Sequence, residues 1–447
     1  MAVPLPLLLI AVLFSDRLIL SSSIFLPLKK RYVPYMPVTA GQFVSPEQTS
    51  LGSNKLYFRH NISLTISLAV GSPPQNVTMV IDTGSELSWL ICPPLSATSP
   101  PSLSPSPSFL QNCSTSYLPI ACSSETCMTK TRDLPSPAYC DKSSKLCHVS
   151  LSYADASAFE GNLAFDMFHI GEYMPLKTIF GCMSSSYSSS PSDTMTYGLL
   201  GMNRGDLSMV TQMGTQRFSY CISDQDSSGI LLIGDTELPF SLSLNYTPLI
   251  QISLPLPYFD RVAYSVELQG IRVSDVVLPI PKSILVPDHT GAGQTMVDSG
   301  TQYTFLLGPA YTLLKNEFIN QTKDVLTVLE DQDFVYQGAF DLCYRVPLWK
   351  SSPSVTLLPT VTLMFRGAEM TVAGERLLSR VEGEQRDGDG IWCFTFGNSD
   401  LVPLQAYVIG HHHQQNVWVE YDIENGRVGF APIQCDVASQ TMSALGL

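Results

Sequence analysis

Met79-Val80-Ile81-Asp82-Thr83-Gly84-Ser85 and, in the second half of the chain, Met296-Val297-Asp298-Ser299-Gly300-Thr301 carry one phrase twice. Each sets an aspartate on a Gly-containing turn directly after an apolar run, the pattern of a buried strand that ends in a tight loop. A single Asp-[Ser/Thr]-Gly-[Ser/Thr] string says little, because Asx turns are common and account for it without any function. Two copies in matching apolar contexts leave that reading weak. The spacing downstream repeats as well, with an apolar pair followed by Gly at Leu199-Leu200-Gly201 and again at Val408-Ile409-Gly410. The chain reads as an internal duplication. Each half supplies one aspartate, and its apolar-apolar-Gly segment packs against the loop, Gly permitting close backbone approach.

Two such halves facing each other bring the carboxylates of Asp82 and Asp298 together. Carboxylates at hydrogen-bonding distance cannot both ionise comfortably, so the pair shares one proton and offers an acid and a base over a wide pH range. A water between them can lose a proton to the ionised group while the protonated one polarises a peptide carbonyl. That is amide hydrolysis with no metal, cofactor or covalent intermediate.

These residues resemble those of the pepsin-like aspartic proteases, over a span from about Leu56 to Cys435. The resemblance implies a mostly β, bilobal fold of two pseudo-symmetric β lobes with an active-site cleft between them. It implies that Asp82 and Asp298 are the catalytic pair. Thr83 and Ser299 match the residues that tie the two loops together, Gly84 and Gly300 complete the turns, and Ser85 and Thr301 match the outer hydroxyls on the carboxylates. Tyr153, in Leu151-Ser152-Tyr153-Ala154-Asp155-Ala156-Ser157, falls at the flap tyrosine, and Trp89 at the tryptophan that supports it. Without the aspartate pair both would read as ordinary core aromatics.

The cysteine-rich stretch after the first Asp loop, Phe218-Ser219-Tyr220-Cys221 and Gln414-Gln415-Asn416 resemble the nepenthesin-like plant branch of that family. Leu256 to Tyr264, Val286 to Gln294 and Tyr407 to His413 narrow the resemblance to one member of it. One departure stands out: the branch's flap reads Tyr-Gly-Asp-Gly-Ser, and Ala154 and Ala156 replace both glycines here. Alanine narrows a turn's conformations and is expected to remove the left-handed region, altering how the flap opens.

At 447 residues the chain is long enough for two lobes with full cores. Short Val, Ile, Thr and aromatic runs alternate with Gly, Pro, Asn and Ser clusters, as in Ser63 to Val70 before Gly71-Ser72-Pro73-Pro74, so the reading is mostly β. Helical spacing is confined to Tyr311, Leu314 and Phe318 after Gly308-Pro309, and to Leu207, Val210 and Met213. The expected division is a signal peptide over 1–23, a short prosegment over 24–55, an N-terminal lobe over 56–245 and a C-terminal lobe over 246–447. Net charge is −14, and without residues 1–55, where five basic side chains face two acidic ones, it is −17. That surface argues against nucleic acid or an anionic membrane as partner and suits an acidic compartment. No later run is apolar enough for a membrane span. The expected partner is a peptide or protein substrate, bound by a monomer.

Eleven cysteines without Cys-X-X-Cys repeats point to disulfides. By the resemblance, Cys92 pairs with Cys182, Cys122 with Cys147, Cys127 with Cys140, Cys221 with Cys435 and Cys343 with Cys393, leaving Cys113 over. Asn-X-Ser/Thr acceptors stand at Asn61, Asn76, Asn112, Asn245 and Asn320, which fits a secretory route to the cell exterior, the vacuole or the endoplasmic reticulum lumen. Pro93 to Ser108 and Ser184 to Ser190 read as loops. His411-His412-His413 invites a metal, but along a strand only the outer two share a face and no further ligands are spaced to complete a site. Packing is the expected role. The function expected is an aspartic endopeptidase acting at acidic pH. The alternatives are a protease-fold binding or inhibitor protein, similar to plant glycanase inhibitors that lost catalytic residues, and a secreted structural glycoprotein.

Overall fold

The computed structural model describes residues 23–32, 62–93, 108–171, 174–187, 198–224, 229–331, 333–348, 357–402 and 404–444. Residues 1–22 of the expected signal peptide, most of the expected prosegment, Asn61 and nearly all of the Pro and Ser rich loop lie outside them.

The N-terminal half is built from β1 (Ile24–Tyr32), β2 (Ile62–Val70), β3 (Gln75–Asp82), β4 (Trp89–Ile91), β5 (Cys147–Ser152), β6 (Ala158–His169), β7 (Leu176–Tyr187), β8 (Gly198–Gly201), β9 (Arg217–Ile222) and β10 (Gly229–Ile233). The C-terminal half supplies β11 (Gln294–Val297), β12 (Thr304–Leu306), β13 (Ala406–Ile409), β14 (Val417–Asp422) and β15 (Arg427–Pro432), with two further four-stranded sheets. A 15-stranded sheet runs through the molecule in the order β15-β14-β9-β10-β1-β2-β3-β8-β4-β7-β6-β5, completed by short strands at its margins. Period-two patterning sets its faces: Leu64, Ile66, Leu68 and Val70 of β2 are all buried, as are Ile24, Leu26 and Leu28 of β1.

β1 deserves its place in that order, for it pairs with β10 through Ile24–Leu28 and with β2 through Lys29–Tyr32. A prosegment that began at Ile24 would therefore contain a strand hydrogen-bonded on both edges. One apolar core joins the halves, from Ile66 and Ile81 through Phe218 and Tyr421 to Val297, Leu314 and Phe394.

The duplication is visible in the register. β8 runs parallel to β3 with Gly201 opposite Asp82, and β13 runs parallel to β11 with Ile409 opposite Val297. β8 then pairs antiparallel with β4, Leu199 against Trp89, as β13 does with β12, Val408 against Phe305.

Among the described residues three α-helices flank the sheets. α1 (Met209–Met213) is capped by Ser208, whose hydroxyl accepts from Thr211 N, and ends on left-handed Gly214. α2 (Gly308–Thr322) carries Pro309 in its first turn and buries Tyr311, Leu314 and Phe318, as their spacing predicts. α3 (Cys435–Ala444) has too few apolar residues to announce itself and is held by Ala438, Met442 and the Cys221–Cys435 bridge.

Five disulfides form, and two of them correct the expectation. Cys92–Cys182, Cys221–Cys435 and Cys343–Cys393 pair as the resemblance implies. Cys122 bonds Cys140 rather than Cys147, and Cys127 bonds Cys147 rather than Cys140. Burial decides it: Cys127 and Cys147 both sit in the apolar cluster with Leu134 and Val149, while Cys140 lies on the outer face. Cys113 is free and exposed. A second correction concerns Ser184 to Ser190, whose first part is strand: Ser185, Ser186 and Tyr187 of β7 pair with Glu160, Phe159 and Ala158 of β6.

Candidate active site

β3 and β11 each deliver an aspartate to a loop at the junction of the halves. Gly84 N donates to Asp82 Oδ1 at 2.8 Å and Ser85 Oγ to Asp82 Oδ2 at 2.5 Å. Gly300 N donates to Asp298 Oδ1 at 2.8 Å and Thr301 Oγ1 to Asp298 Oδ2 at 2.6 Å. The second residue of each loop reaches across. Thr83 N donates to Ser299 Oγ at 3.1 Å and Ser299 N to Thr83 Oγ1 at 2.9 Å. The same hydroxyls donate onward to strand carbonyls, Thr83 to Val297 O and Ser299 to Ile81 O.

Glycine is required at both turns because each faces the other carboxylate. A Cβ on Gly84 would lie 3.0 Å from Asp298 Oδ1, and one on Gly300 would overlap Asp82 Oδ1. Both aspartates are buried, 7% and 9% exposed. Burial first and the facing Asp298 carboxylate second push the Asp82 carboxyl far above the usual range, against the hydrogen bonds from Ser85 and Gly84. The arrangement holds a proton where an ordinary aspartate would have lost it.

Tyr153 closes the site from the β5–β6 hairpin. Trp89 Nε1 donates to its hydroxyl at 2.7 Å, and Phe159 packs 4.1 Å from the Trp89 ring. Burial and then the nearby Asp82 raise the phenol, so it stays a neutral donor. At the hairpin tip Ala156 N donates to Tyr153 O, and Asp155 Oδ1 accepts from the Ser157 amide and hydroxyl. Ala156 has φ of 65°, so the left-handed region is occupied rather than removed. The turn demands that conformation, and alanine bears a cost of about 1–2 kcal/mol there. Ala154 packs across the site on the C-terminal cluster that includes Tyr303 and Phe340.

The three histidines follow β13 in a turn, not along a strand. A ring nitrogen of His411 meets Ile62 O and one of His412 meets Arg376 O, while His413 lies between Thr304 Oγ1 and Thr395 Oγ1. Among the described residues no three His, Cys, Asp or Glu side chains gather at metal-binding distance. Of the glycosylation acceptors, Asn76, Asn112, Asn245 and Asn320 are exposed.

Residues to which the sequence assigned no role in the site support both loops. Gln414 Nε2 donates to Asp298 O and Ile409 O, its Oε1 accepts from Tyr220, and Tyr220 and Tyr421 share a 3.0 Å hydroxyl contact behind the loops. The duplication also extends further than its tetrapeptides: Glu86-Leu87-Ser88-Trp89 aligns with Gln302-Tyr303-Thr304-Phe305. Gly201 N donates to Ser88 Oγ and Gly410 N to Thr304 Oγ1. Continuing the comparison of the halves four residues onward is the signal that finds them.

Two family models match, Xylanase inhibitor N-terminal over residues 65–235 and Xylanase inhibitor C-terminal over 263–432. The chain is 58% identical to Aspartic proteinase PCS1 of Arabidopsis thaliana over 394 residues, covering 87% of this chain and 86% of the relative. It is 30% identical to Aspartic proteinase nepenthesin-1 of Nepenthes gracilis over 373 residues, covering 83% and 77%. A solved structure described as "Crystal structure of edgp" superposes with a TM-score of 0.63 at 17% identity, covering 94% of this chain and 98% of that one, which speaks to the fold.

Proposed function

Because the chain belongs to the nepenthesin-like plant branch of the pepsin-like aspartic proteases and is an aspartic-type endopeptidase, we propose that it cuts peptide bonds through Asp82 and Asp298 acting as one acid–base pair at acidic pH. The observation that carries this reading is the matched hydrogen bonding of two buried carboxylates on loops locked to each other by Thr83 and Ser299. With one proton between them, the ionised carboxylate takes a proton from a water, the hydroxide adds to the scissile carbonyl carbon, and the protonated carboxyl gives its proton to the carbonyl oxygen. The diol then collapses: the C–N bond breaks as the amine nitrogen takes a proton from one carboxyl, and a diol hydroxyl gives its proton to the other carboxylate, which re-forms the carbonyl and leaves the pair with one proton again. Ser85 and Thr301 fix the outer oxygens so that both carboxyls present their inner edges to the water. Tyr153 covers the substrate from above, oriented by Trp89.

Five disulfides and the plant protease relatives support a secretory-pathway protein in this reading. No helix among the described residues is long and apolar enough to cross a membrane. The reading has a monomer engaging an extended peptide substrate and no nucleic acid. Incubation of the purified protein with a denatured protein at acidic and neutral pH tests it. Cleavage should follow a bell-shaped pH profile with an acidic optimum and stop with a statyl-type transition-state mimic. Absence of cleavage at every pH would favour the binding-protein reading that the inhibitor descriptions of the matching models suggest.

A further inference from the structure

Glu86 follows Ser85 of the first loop, and its carboxyl is turned inward, 5% exposed. Oε1 accepts from Leu207 N at 2.9 Å, and Oε2 is buried with no hydrogen-bond partner. The carboxyl lies flat against Gly205, where any Cβ would collide with it. Gly201 to Leu207 is the segment that clamps the Asp82 loop: Met202 N donates to Asp82 O at 2.9 Å and Asn203 N to Ser85 O at 3.1 Å. Arg204 then joins the segment to the C-terminal half, its amide donating to Val262 O and its guanidinium to Arg261 O and Ala263 O.

The equivalent residue of the second loop is Gln302, whose Oε1 accepts from Ile62 N at 3.2 Å. An amide there carries no charge at any pH. Glu86 also accepts a backbone amide, from its own half and with a group that can ionise.

We propose that Glu86 is a positioning residue that works in its neutral form: protonated, it seats Gly205–Leu207 beneath the Asp82 loop, and its ionisation loosens that seat and limits the enzyme on the neutral side. The carboxylates around it oppose ionisation. Asp206 lies on the clamping segment itself, Asp133 on the cysteine-rich stretch and Asp260 on the C-terminal half. The nearby cations are spent elsewhere, Arg261 on Asp133 and Arg204 on the two carbonyls. Burial first, and these carboxylates with it, raise the Glu86 pKa to about 7 against the Leu207 amide. An ionised Glu86 would be a desolvated charge with one backbone donor, much costlier than a neutral carboxyl in the same place. Since the folded value is above the ordinary 4.5, the unfolded chain loses this proton first. Stability therefore falls as pH rises from 4.5 to about 7 and levels off beyond.

Glu86→Gln keeps the acceptor for Leu207 N and cannot ionise. Thermal unfolding from pH 4 to 8 and the pH dependence of kcat/KM, each scaled to its own maximum, are measured on parent and variant. The activity readout rests on the two-aspartate reading, whereas the unfolding readout does not. Between pH 4.5 and 7 the variant's Tm should fall about 3 °C less than the parent's, and the midpoint of its neutral-side activity limb should move up by roughly half a pH unit or more. Asp206→Asn, at an exposed position, should move both in the same direction by less, and should do nothing further in the Glu86→Gln background. Superimposable curves for parent and Glu86→Gln would overturn the proposal, as would an Asp206→Asn shift of equal size with and without Glu86. If Glu86→Gln does not fold, an Asp206→Asn profile identical to the parent's overturns it. If the parent cleaves nothing, the two-aspartate reading has failed, and the unfolding curves still decide the role of Glu86.

Discussion

The Asp82 loop and the Asp298 loop are hydrogen-bonded in the same way and backed by different chemistry. Each carboxylate takes one amide and one hydroxyl from its own turn, and each second residue crosses to the other half. Behind the first loop stands a carboxylic acid, Glu86; behind the second stand an amide, Gln302, and the histidines His412 and His413. Symmetry is kept where the two carboxyls face each other. It is relaxed where each half only supports itself.

The relaxed positions are held neutral by burial, with opposite consequences in pH. Burial lowers His412 from 6.5 to about 4 and His413 well below its ordinary value. The unfolded chain then binds protons that the folded chain refuses, so stability falls as pH drops from 6.5 to about 4. Glu86 acts the other way, lowering stability as pH rises from 4.5 to about 7. The N-terminal half is thus the one strained toward neutrality and the C-terminal half the one strained toward acid.

The largest expected effect tests the symmetric part of this comparison. Asp82→Asn and Asp298→Asn should each lower turnover by at least about 10³-fold, and by similar amounts. Steady-state cleavage of one denatured substrate by both variants measures it, and a loss confined to one half would break the equivalence. A smaller effect probes the asymmetric part. His412→Asn should remove an acid-side penalty on the order of 1–3 kcal/mol, seen as a smaller loss of Tm between pH 6.5 and 4, with no change in the Tm difference between pH 7 and 8. An acid-side slope that stays as steep as the parent's would show that the penalty lies elsewhere. The smallest effect belongs to the β5–β6 hairpin. Ala156→Gly relieves a left-handed alanine but loosens the unfolded chain, so thermal unfolding should show a net gain of a few tenths to about 1 kcal/mol. A loss of stability would mean that the alanine methyl makes contacts that outweigh its strain.

The parts legible in the sequence are those whose signal is local. An apolar run ending in Asp-Thr-Gly-Ser states a strand, a turn and a carboxylate within a few residues, and the second copy states what faces it. β2 and α2 were equally readable from periodicity, through Leu64, Ile66, Leu68 and Val70 in one and Tyr311, Leu314 and Phe318 in the other. What stayed hidden depends on where distant segments come to rest. Cys127 and Cys147 pair because both enter the cluster around Val149, which spacing between nearly equivalent cysteines does not encode. Nothing beside Glu86 in the chain signals its burial, because Leu207 and Gly205, which enclose it, lie more than a hundred residues away. Ala156 looked incompatible with a left-handed turn, yet the hydrogen bonds at the hairpin tip impose one. Ser185 to Tyr187 looked like a polar loop because its partners, Ala158 to Glu160, lie across a hairpin.

The central claim is that Asp82 and Asp298 form one acid–base unit, and the double variant tests it most directly. Turnover of Asp82→Asn, Asp298→Asn and the double variant is measured on the same substrate at the pH where the parent is fastest, with folding checked by thermal unfolding. Groups acting as a unit give grossly non-additive losses, so the double variant is expected to be no slower than either single one within a few-fold. Losses that multiply, or a folded single variant that cuts at a rate near the parent's, would contradict the account.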